Sequence, residues 1–503
     1  MSEIIKAFPL FSIICCFVGA VICSFSNRKV AFITSLVVCG AVFTLSVITL
    51  SYCMYYDTSF IYTMGHFDPN EDGIRICNEI RCGVLECFLA AFFSLVLALC
   101  ILGGKYFQNK DINEKKQNLF YVMMCLILVA NNALIYTNDI FTGFVFLEVS
   151  TLASCGCLMV KEKGPTILST IRYMIFNLVG SGLFLIGIVI CYNLTGCLSI
   201  ENIATVIKTQ ELGIPHYVSF TLIIIGLAIK GGLFPFHFWM PDAYGCATPT
   251  SSSVLSGIVT KGYIILLIKV IFRMFTYEVL APTGLLNILF VFGVLGMIVG
   301  SINAIHQKSI DRMIAFSSAA QIGYVFMGIG LGYEMALVAA FFHILTHAVT
   351  KPLLFISAEH LSCTSDGSKK FRNLRGCGRV DIVSGVAFSV GALSMVGIPL
   401  FAGFISKYLF VSASFINEIP LWMKIMAIAA LIISTVLNAI YFVRTMFTIY
   451  LPVDTIFGPK MECKKYCPMC LIGMIGLVVL NIALGVSSSY IVDLLADGFA
   501  MFM

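Results

Sequence analysis

The sequence predicts an all-α polytopic membrane protein with about fourteen transmembrane helices, because it is strongly apolar and its apolar segments are long. Of its 503 residues, 59% are hydrophobic and only 11% are charged, and the mean hydropathy is +0.98. No soluble fold needs that much apolar sequence. The formal net charge of +5 gives no indication of a nucleic-acid partner, because the basic residues lie in short loops beside apolar segments. We therefore expect a single membrane domain, residues 1–503, in contact with the lipid bilayer.

Each predicted span has roughly 20 residues, the length that crosses the hydrocarbon core of a bilayer. The spans lie near residues 4–25, 30–56, 84–103, 119–137, 140–160, 166–192, 218–238, 250–275, 283–304, 313–332, 335–361, 381–411, 422–450 and 469–495. Residues 8–25 lack the basic segment and the cleavage site of a signal peptide, so we expect a retained first span. Two spans contain helix breakers, which are Gly231, Gly232 and Pro235 in the seventh and Gly397, Pro399 and Gly403 in the twelfth.

The two broken spans indicate a weak internal repeat. GLFPF at 232–236 and GIPLF at 397–401 each interrupt a helix near a lysine, about five spans apart. An odd number of spans in each copy gives the two copies opposite topology, as in many transporters. We predict three N-terminal helices in 1–118, a first inverted repeat in 119–275, a second in 283–450, and a last helix in 469–495.

The loops that follow odd-numbered spans carry about 18 lysines and arginines, against about five in the other loops. The positive-inside rule therefore places the basic loops in the cytoplasm and both termini outside. We expect an integral protein of the cytoplasmic membrane of a bacterium or an archaeon.

Two opposite charges, Glu148 and Lys230, lie in different predicted spans. A charge inside a membrane is costly and indicates function by default. At a separation of about 4 Å and an effective dielectric constant near 20, such a pair is worth roughly 4 kcal/mol. One interpretation is an ion pair whose opening and closing moves a proton, and the other is a static bridge that only holds two helices together.

Two further lysines are also flanked by apolar sequence. Lys261 has no evident carboxylate partner in its own span, and Lys407 follows the second broken helix. Either lysine could relay protons, or its long side chain could reach a polar surface.

His343, His347 and Lys351 are spaced at i, i+4 and i+8, so we expect them on one face of a helix. Imidazoles can pass protons near neutral pH, which favours a proton-conducting stripe. Packing histidines and a metal site are the alternatives, although no acidic partner is adjacent and a lysine joins the stripe. His237, in PFHFW, either bridges the two halves of a path or satisfies carbonyls that Pro235 leaves free.

Cys463, Cys467 and Cys470 have spacings that could chelate a cluster, but no fourth ligand is evident. The other cysteines are scattered through apolar segments, where thiols behave as small hydrophobic groups. The sequence contains no nucleotide fingerprint, haem motif or complete iron–sulfur ligand set. We therefore expect no cofactor, no resident metal and no catalytic residue.

Five motifs between about residues 119 and 450 make the chain resemble a known family. They are IRYMIFNLVGSG, KGGLFPFHFWMPDA, DRMIAFSSAAQIGY, HILTHAVTKPLLF and GALSMVGIPLFAGFISK. The chain resembles the antiporter-like subunits of respiratory complex I (NADH–quinone oxidoreductase), of membrane-bound hydrogenases and of Mrp-type sodium/proton antiporters. The resemblance implies fourteen helices, inverted repeats in helices four to eight and nine to thirteen, and breaks in helices seven and twelve.

The resemblance also implies roles for single residues. Glu148 looks like the family's helix-five glutamate, Lys230 its helix-seven lysine, Lys261 its helix-eight lysine and Lys407 its helix-twelve lysine, while His347 lies in the helix-eleven histidine motif. In complex I subunits a histidine often stands six residues before the helix-eight lysine, and here that residue is Leu255. This form is closer to the D-type subunit of Mrp antiporters and to the hydrogenase branch. The end of the chain fits the D, M or N type of subunit.

We therefore expect a cation-translocating subunit of a larger membrane complex, with other membrane subunits as partners and without a redox centre of its own. Protons, with or without exchange for sodium, would move along Glu148, Lys230, His237, Lys261, His343, His347, Lys351 and Lys407. One alternative is a stand-alone secondary carrier for an organic solute. The other is a structural or quinone-lining subunit that conducts no ions.

Overall fold

The computed structural model describes residues 2–63, 78–416, 418–452 and 467–502, and this part of the chain is built mainly of helices. The α-helices are, in order, α1 (Ser2–Lys6), α2 (Phe8–Phe25), α3 (Arg28–Tyr56), α4 (Val84–Gly103), α5 (Lys105–Asp111), α6 (Gln117–Tyr136), α7 (Ile140–Met159), α8 (Gly164–Thr195), α9 (Ile200–Thr209), α10 (Ile214–Gly231), α11 (Trp239–Cys246), α12 (Pro249–Val254), α13 (Thr260–Lys269), α14 (Tyr277–Leu280), α15 (Leu285–Ile305), α16 (Ile310–Leu331), α17 (Glu334–Thr364), α18 (Cys377–Val380), α19 (Ile382–Val396), α20 (Ala402–Ser414), α21 (Leu421–Tyr450), α22 (Pro468–Val486) and α23 (Ser488–Phe502). Two π-helical stretches, Leu255–Val259 and Val270–Met274, follow α12 and α13. The antiparallel strands β1 (Phe60–Thr63) and β2 (Glu79–Cys82) pair with each other.

Within the described residues, thirteen helices are long and apolar enough to cross a membrane. A bent pair, Phe371–Val380 with Ile382–Val396, raises the number to fourteen if it is counted as one span. The prediction of an all-helical membrane protein with about fourteen spans is therefore confirmed.

The centre of the bundle is formed by three spans. The most apolar windows of Pro249–Met274 and Glu334–Thr364 are 100% buried within the chain, and that of Ile310–Leu331 is 94% buried. The corresponding window of Phe8–Phe25 is only 39% buried, as expected for a helix at the periphery that faces lipid. Polar side chains on the three central helices are therefore shielded from lipid by the rest of the chain.

The predicted break in the seventh span is present. Helix α10 ends at Gly231, and Gly232 follows with φ +81°. A Cβ atom on Gly232 would lie 1.9 Å from Met240 Cε, so this turn requires glycine for both its backbone angle and its packing. The chain then passes through the short 3₁₀ helix Phe236–Phe238 into α11.

The predicted break in the twelfth span lies between α19 and α20. Gly397, with φ +93°, ends α19, and α20 begins at Ala402. The interpretation of Gly403 as a breaker is wrong, because this residue lies in the first turn of α20. A Cβ atom at Gly403 would lie 1.7 Å from the Ser394 carbonyl oxygen, so glycine is needed there for close approach. That the two broken helices belong to inverted repeats, with the domain limits given above, stays a prediction.

The predicted last span, 469–495, is two helices. Helix α22 ends at Val486, and Ser487, at its C-cap, separates it from α23. Helix α23 buries one face against α17 and α4, with Ile491, Leu494 and Leu495 inside. The apolar run therefore continues past the end of α22, which is why hydropathy alone merged the two helices.

Candidate functional site

Glu148 of α7 and Lys230 of α10 form an ion pair. Lys230 Nζ lies 3.0 Å from Glu148 Oε1 and donates a second hydrogen bond of 2.8 Å to Thr151 Oγ1. The Ser181 hydroxyl donates to the same carboxylate oxygen. The Lys230 side chain is completely buried, whereas 25% of the Glu148 side chain is exposed. The pair thus joins the interior of the bundle to its outer surface.

Lys261 lies at the start of α13, directly after the π-helical stretch Leu255–Val259. Its ammonium donates to the carbonyl oxygen of Ser256 and, at 3.1 Å, to Thr260 Oγ1. No carboxylate pairs with it in the part of the chain that the structure describes. Single π-helical turns are frequent at functional sites, and this one contains Leu255 and Ser256.

The three residues of the α17 stripe share one buried face of that helix, as their spacing predicts. The rings of His343 and His347 lie with their centres 6.4 Å apart. His343 Nδ1 lies 3.0 Å from Ser406 Oγ, and Lys351 Nζ donates to Ser317 Oγ at 2.5 Å. The stripe therefore contacts α20 near one end and α16 near the other.

Lys407, in α20, turns its ammonium inward. The ammonium donates at 2.7 Å to the carbonyl oxygen of Val396, the last residue of α19, and so satisfies a carbonyl at the break. It also lies 5.9 Å from the centre of the Tyr324 ring, which stacks on His343 at 5.2 Å. The Lys407 side chain therefore folds back onto the break in its own span and does not extend to a polar surface.

His237 lies in the short helix after the first break, buried between aromatic rings. Its ring centre is 5.6 Å from that of Phe234 and 4.7 Å from that of Phe238. Both ring nitrogens are buried without a hydrogen-bond partner among the described residues. Among these residues, no hydrogen bond or ion pair joins His237 to the other predicted site residues, so its place in a path stays a prediction.

Two of the buried lysines are connected through α16. The Ser256 backbone accepts from Lys261, and the Ser256 hydroxyl lies 3.1 Å from that of Ser318. The neighbouring residue, Ser317, bonds Lys351. The serine pair of α16 thus lies between the lysines of the eighth and eleventh spans, a connection that sequence reasoning did not identify.

A second group of charges on the eighth span was not predicted from the sequence. Lys269 is fully buried and donates to the carbonyl oxygens of Ile135 and, at 3.1 Å, Thr137. Arg273, one turn further, lies 3.9 Å from the buried Glu86. The spacing of Lys269, at i+8 from Lys261 on the same helix, could have indicated a buried lysine. Its position near the end of the span instead suggested a lysine that flanks the membrane.

At the other end of the bundle, Lys369 joins two carboxylates. Its ammonium binds Asp311 and lies 2.7 Å from Glu359 Oε2. Burial acts to lower the pKa of Lys369, but the two carboxylates outweigh it and hold the pKa above the ordinary value of a lysine. Glu359 follows Lys351 at i+8 on α17, so the polar face of that helix continues to this cluster.

Comparison with known proteins matches residues 137–437 to the family model described as NADH:quinone oxidoreductase/Mrp antiporter, TM. The N subunit of the NADH-quinone oxidoreductase of Desulforudis audaxviator (strain MP104C) is 31% identical over 364 residues, which are 72% of this chain and 70% of that protein. The D-type subunit of the Na(+)/H(+) antiporter of Alkalihalophilus pseudofirmus is 26% identical over 330 residues, 65% of this chain and 64% of that protein.

Two solved structures share the fold over almost the whole chain. One is the membrane-bound sulfane sulfur reductase, an archaeal respiratory membrane complex, with a TM-score of 0.84, 23% identity, and coverage of 99% of this chain and 97% of that chain. The other is the Mrp complex from Dietzia sp. DQ12-45-1b, with a TM-score of 0.84, 21% identity and the same coverage. Because the family model matches more than half of its length, the chain belongs to the NADH:quinone oxidoreductase/Mrp antiporter transmembrane family.

Proposed function

We propose that the chain translocates protons across the membrane as one subunit of a multisubunit complex of the complex I or Mrp type. The observation that carries this proposal is the connection of buried titratable groups through hydrogen-bonding side chains in the middle of the bundle. Lys261 connects to Lys351 through Ser256 of the π-helical stretch and the serines of α16, Ser317 and Ser318. His343 connects to Lys407 through Tyr324.

The energetic cost of this arrangement supports a functional origin. A charged group at the centre of a bilayer costs several kcal/mol, roughly 3 kcal/mol by insertion measurements. Lys230, Lys261 and Lys351 are each at most 1% exposed. A chain that needed only packing would be more stable with apolar side chains at these positions.

The same region contains buried polar atoms for which ordered water would be a suitable hydrogen-bond partner. Both ring nitrogens of His347, Nε2 of His343, both amide atoms of Gln321 and the Tyr324 hydroxyl are buried without a hydrogen-bond partner among the described residues. Buried polar groups in folded proteins are nearly always hydrogen-bonded to protein or to ordered water. Water at these groups would join the histidines to the lysines on either side and complete a path for protons.

The charge balance favours protons over sodium ions for this path. Among the central residues described above, Glu148 is the one acid, whereas four are lysines, namely Lys230, Lys261, Lys351 and Lys407. A sodium site needs several oxygen ligands, and neighbouring ammonium groups would repel the ion. A relative named as a Na(+)/H(+) antiporter subunit is compatible with this assignment, because sodium could cross through another subunit of the complex.

The Glu148–Lys230 pair is placed to act as a switch. While the pair is closed, Lys230 is held charged by a carboxylate 3.0 Å away. If Glu148 turns away, the buried ammonium loses its counter-charge and tends to release its proton. Because the carboxylate is partly exposed on the outer surface of the chain, a neighbouring subunit could drive this movement.

We further propose that the complex lies in the cytoplasmic membrane, with both termini of this chain outside. The excess of basic residues in the loops after odd-numbered spans supports this orientation. Protease treatment of right-side-out and inverted vesicles that carry a tag at residue 503 would test it, since removal of the tag only in inverted vesicles contradicts it.

The experiment that tests the proposed function uses Lys230→Ala in the intact complex in its native membrane. Inverted vesicles report proton uptake through a pH-sensitive dye, and native gel electrophoresis reports assembly. We expect an assembled complex with translocation lost. Normal translocation by the assembled variant would contradict the path, and normal ion stoichiometry with altered quinone kinetics would favour a quinone-lining subunit. Transport of a solute by the isolated chain would instead favour a stand-alone carrier.

A further inference from the structure

We propose that Lys269 and Glu86 form an external branch of the proton path, which joins Lys261 to the outer face of the membrane. This inference rests on the proposed function, and it adds residues that neither the sequence motifs nor the central connection include. Its basis is a second set of buried charges and unpartnered amides along the outer half of the eighth span.

Lys269 is placed as the next step after Lys261. It follows at i+8 on the same helix, and so lies two turns nearer the outer end of that span on a similar face. Its side chain is completely buried, and its ammonium donates to two backbone carbonyls of the α6 terminus, those of Ile135 and Thr137. No carboxylate lies within ion-pair distance of this ammonium among the described residues, so the group is not locked in a salt bridge.

Helix α6 runs beside this part of the eighth span and connects the two lysines. A Cβ atom on Gly262 would lie 2.9 Å from Asn131 Oδ1, so the Asn131 amide packs against Gly262, the residue that follows Lys261 in the sequence. Ile135, whose carbonyl accepts from Lys269, lies one turn beyond Asn131 on the same face of α6. The Asn131 side chain therefore lies between the positions of the two lysines.

The amides at this place have no protein partner. Both polar atoms of Asn131 and both of Asn132 are buried without a hydrogen bond among the described residues. Each residue is at most 2% exposed. Four unpartnered amide atoms in one turn of a buried helix indicate ordered water, because water can satisfy donors and acceptors together. Such water would link the two ammonium groups.

Beyond Lys269, a cluster of Glu86, Arg273 and Glu201 extends from the interior to the surface of the chain. Glu86 is 2% exposed, and its Oε1 lies 3.9 Å from Arg273 Nη1 and has no hydrogen-bond partner among the described residues. Arg273 Nη2 also binds Glu201 Oε1 at 3.2 Å, and the Glu201 side chain is 43% exposed. The carboxylates thus pass from buried to exposed within one cluster. Arginine keeps its charge, so it orients the two acids without carrying a proton itself.

The transfer steps balance as single proton movements. The Lys261 ammonium gives one proton through water at the asparagine amides to a neutral Lys269 amine, which leaves a Lys261 amine and a Lys269 ammonium. Lys269 then gives a proton to the Glu86 carboxylate, and the resulting carboxylic acid releases it to water beside Glu201. One N–H or O–H bond breaks as another forms at each step, and no oxidant or reductant takes part.

A purely structural role for the cluster makes a different prediction. Lys269 could serve only as a cation that ties α6 to the eighth span through two carbonyls. Arginine would preserve such a role, because it keeps the charge and the donors, but it does not lose its proton near neutral pH. Lys269→Arg therefore separates proton transfer from attachment, and Glu86→Gln tests the carboxylate with little change in size.

The experiment measures proton translocation and complex content in inverted vesicles of the native membrane for Lys269→Arg, Glu86→Gln and Asn131→Ala. The matched control is Lys208→Arg, because Lys208 is an exposed lysine in the last turn of α9. We expect assembled complexes in which translocation falls by about ten-fold or more for the first two variants and changes little for the control. If a charge variant fails to assemble, Asn131→Ala tests the branch instead. Loss of translocation in assembled Asn131→Ala supports the branch, and a normal rate overturns it.

Lys230→Ala in the same experiment separates the two proposals. If Lys230→Ala abolishes translocation while Lys269→Arg and Glu86→Gln translocate normally, the external branch is wrong and the central path stands. If Lys230→Ala itself translocates normally, the proposed function fails and the branch fails with it.

Discussion

The ammonium of Lys230 is completely buried and lies 3.0 Å from Glu148 Oε1, whereas a quarter of the Glu148 side chain is exposed on the outside of the bundle. The two partners of this ion pair thus differ in their accessibility from outside the chain. Lys230 is accessible only from within the chain, but Glu148 lies where another subunit can contact it. This asymmetry makes the carboxylate the member of the pair through which an external event could reach the interior.

We expect Glu148→Gln to assemble but to translocate protons about ten-fold or more slowly. The substitution keeps the size of the side chain and its contact with Ser181, and it removes the charge that holds Lys230 protonated. Dye-monitored proton uptake in inverted vesicles, normalised to complex content, measures the effect. Glu162→Gln is the control, because Glu162 pairs with Lys116 at an exposed surface, where an ion pair contributes little. A wild-type rate for Glu148→Gln would contradict the switch.

The serine connection between Lys261 and Lys351 gives a second prediction. Ser256→Ala and Ser318→Ala each remove one side of a single hydroxyl contact of 3.1 Å. We expect each variant to slow translocation several-fold, and the double variant to be no slower than either single one, because residues that share one interaction are not additive.

The measurement is the same vesicle assay, with translocation compared for the two single variants and the double variant. Ser51→Ala is the control, since Ser51 is an exposed serine whose hydroxyl donates to the Val47 carbonyl oxygen of its own helix. Multiplied effects in the double variant would indicate that the two hydroxyls act separately.

Hydropathy and glycine placement were sufficient to predict the helical membrane fold. The break after Gly231 could be predicted because Gly232 needs a positive φ, a local property that sequence displays. The role of Gly403 could not, because its requirement comes from the Ser394 carbonyl of another helix. Likewise, the end of α22 at Val486 depends on how α23 packs, and no breaker marks it in the sequence.

The candidate site was predictable to a similar extent. Glu148 and Lys230 were identified because a charge within an apolar run is conspicuous in one dimension, and their distance of 3.0 Å follows from the packing of α7, α8 and α10. Lys269 was overlooked because a lysine near the end of a span usually reaches the polar surface. Its burial comes from α6 and α9, which pack against this end of the span, and the spacing of the sequence does not contain that information.

The close approach at the second break predicts a strong effect of one added methyl group. Gly403→Ala places a Cβ atom 1.7 Å from the Ser394 carbonyl oxygen, so α19 and α20 must move apart. We expect a loss of stability of about 3 kcal/mol, the upper range for overpacking, measured by thermal unfolding of the detergent-solubilised complex. Gly182→Ala is the control, because among the described residues no atom outside its own helix turn lies within 4 Å of the added methyl group. Equal stability of the two variants would contradict the packing at the break.

The Lys369 cluster gives a prediction about pH. Its two carboxylates, Asp311 and Glu359, raise the pKa of Lys369 above its ordinary value despite the burial that acts to lower it. The stabilisation by a group whose pKa rises on folding is fully present below the unfolded pKa, about 10.4 for lysine, and is lost only as the pH rises through the folded value. We therefore expect Lys369→Met to destabilise the complex by about 3 kcal/mol, since it leaves two buried acids without their partner.

The destabilisation caused by Lys369→Met should stay constant between about pH 6 and about pH 9, because Lys369 does not titrate in this range. Thermal unfolding across this range measures it, and Lys370→Met, at an exposed neighbouring lysine, should have little effect. A destabilisation that disappears by about pH 9 would mean that Lys369 loses its proton below the unfolded value, and thus that the two carboxylates do not hold its charge.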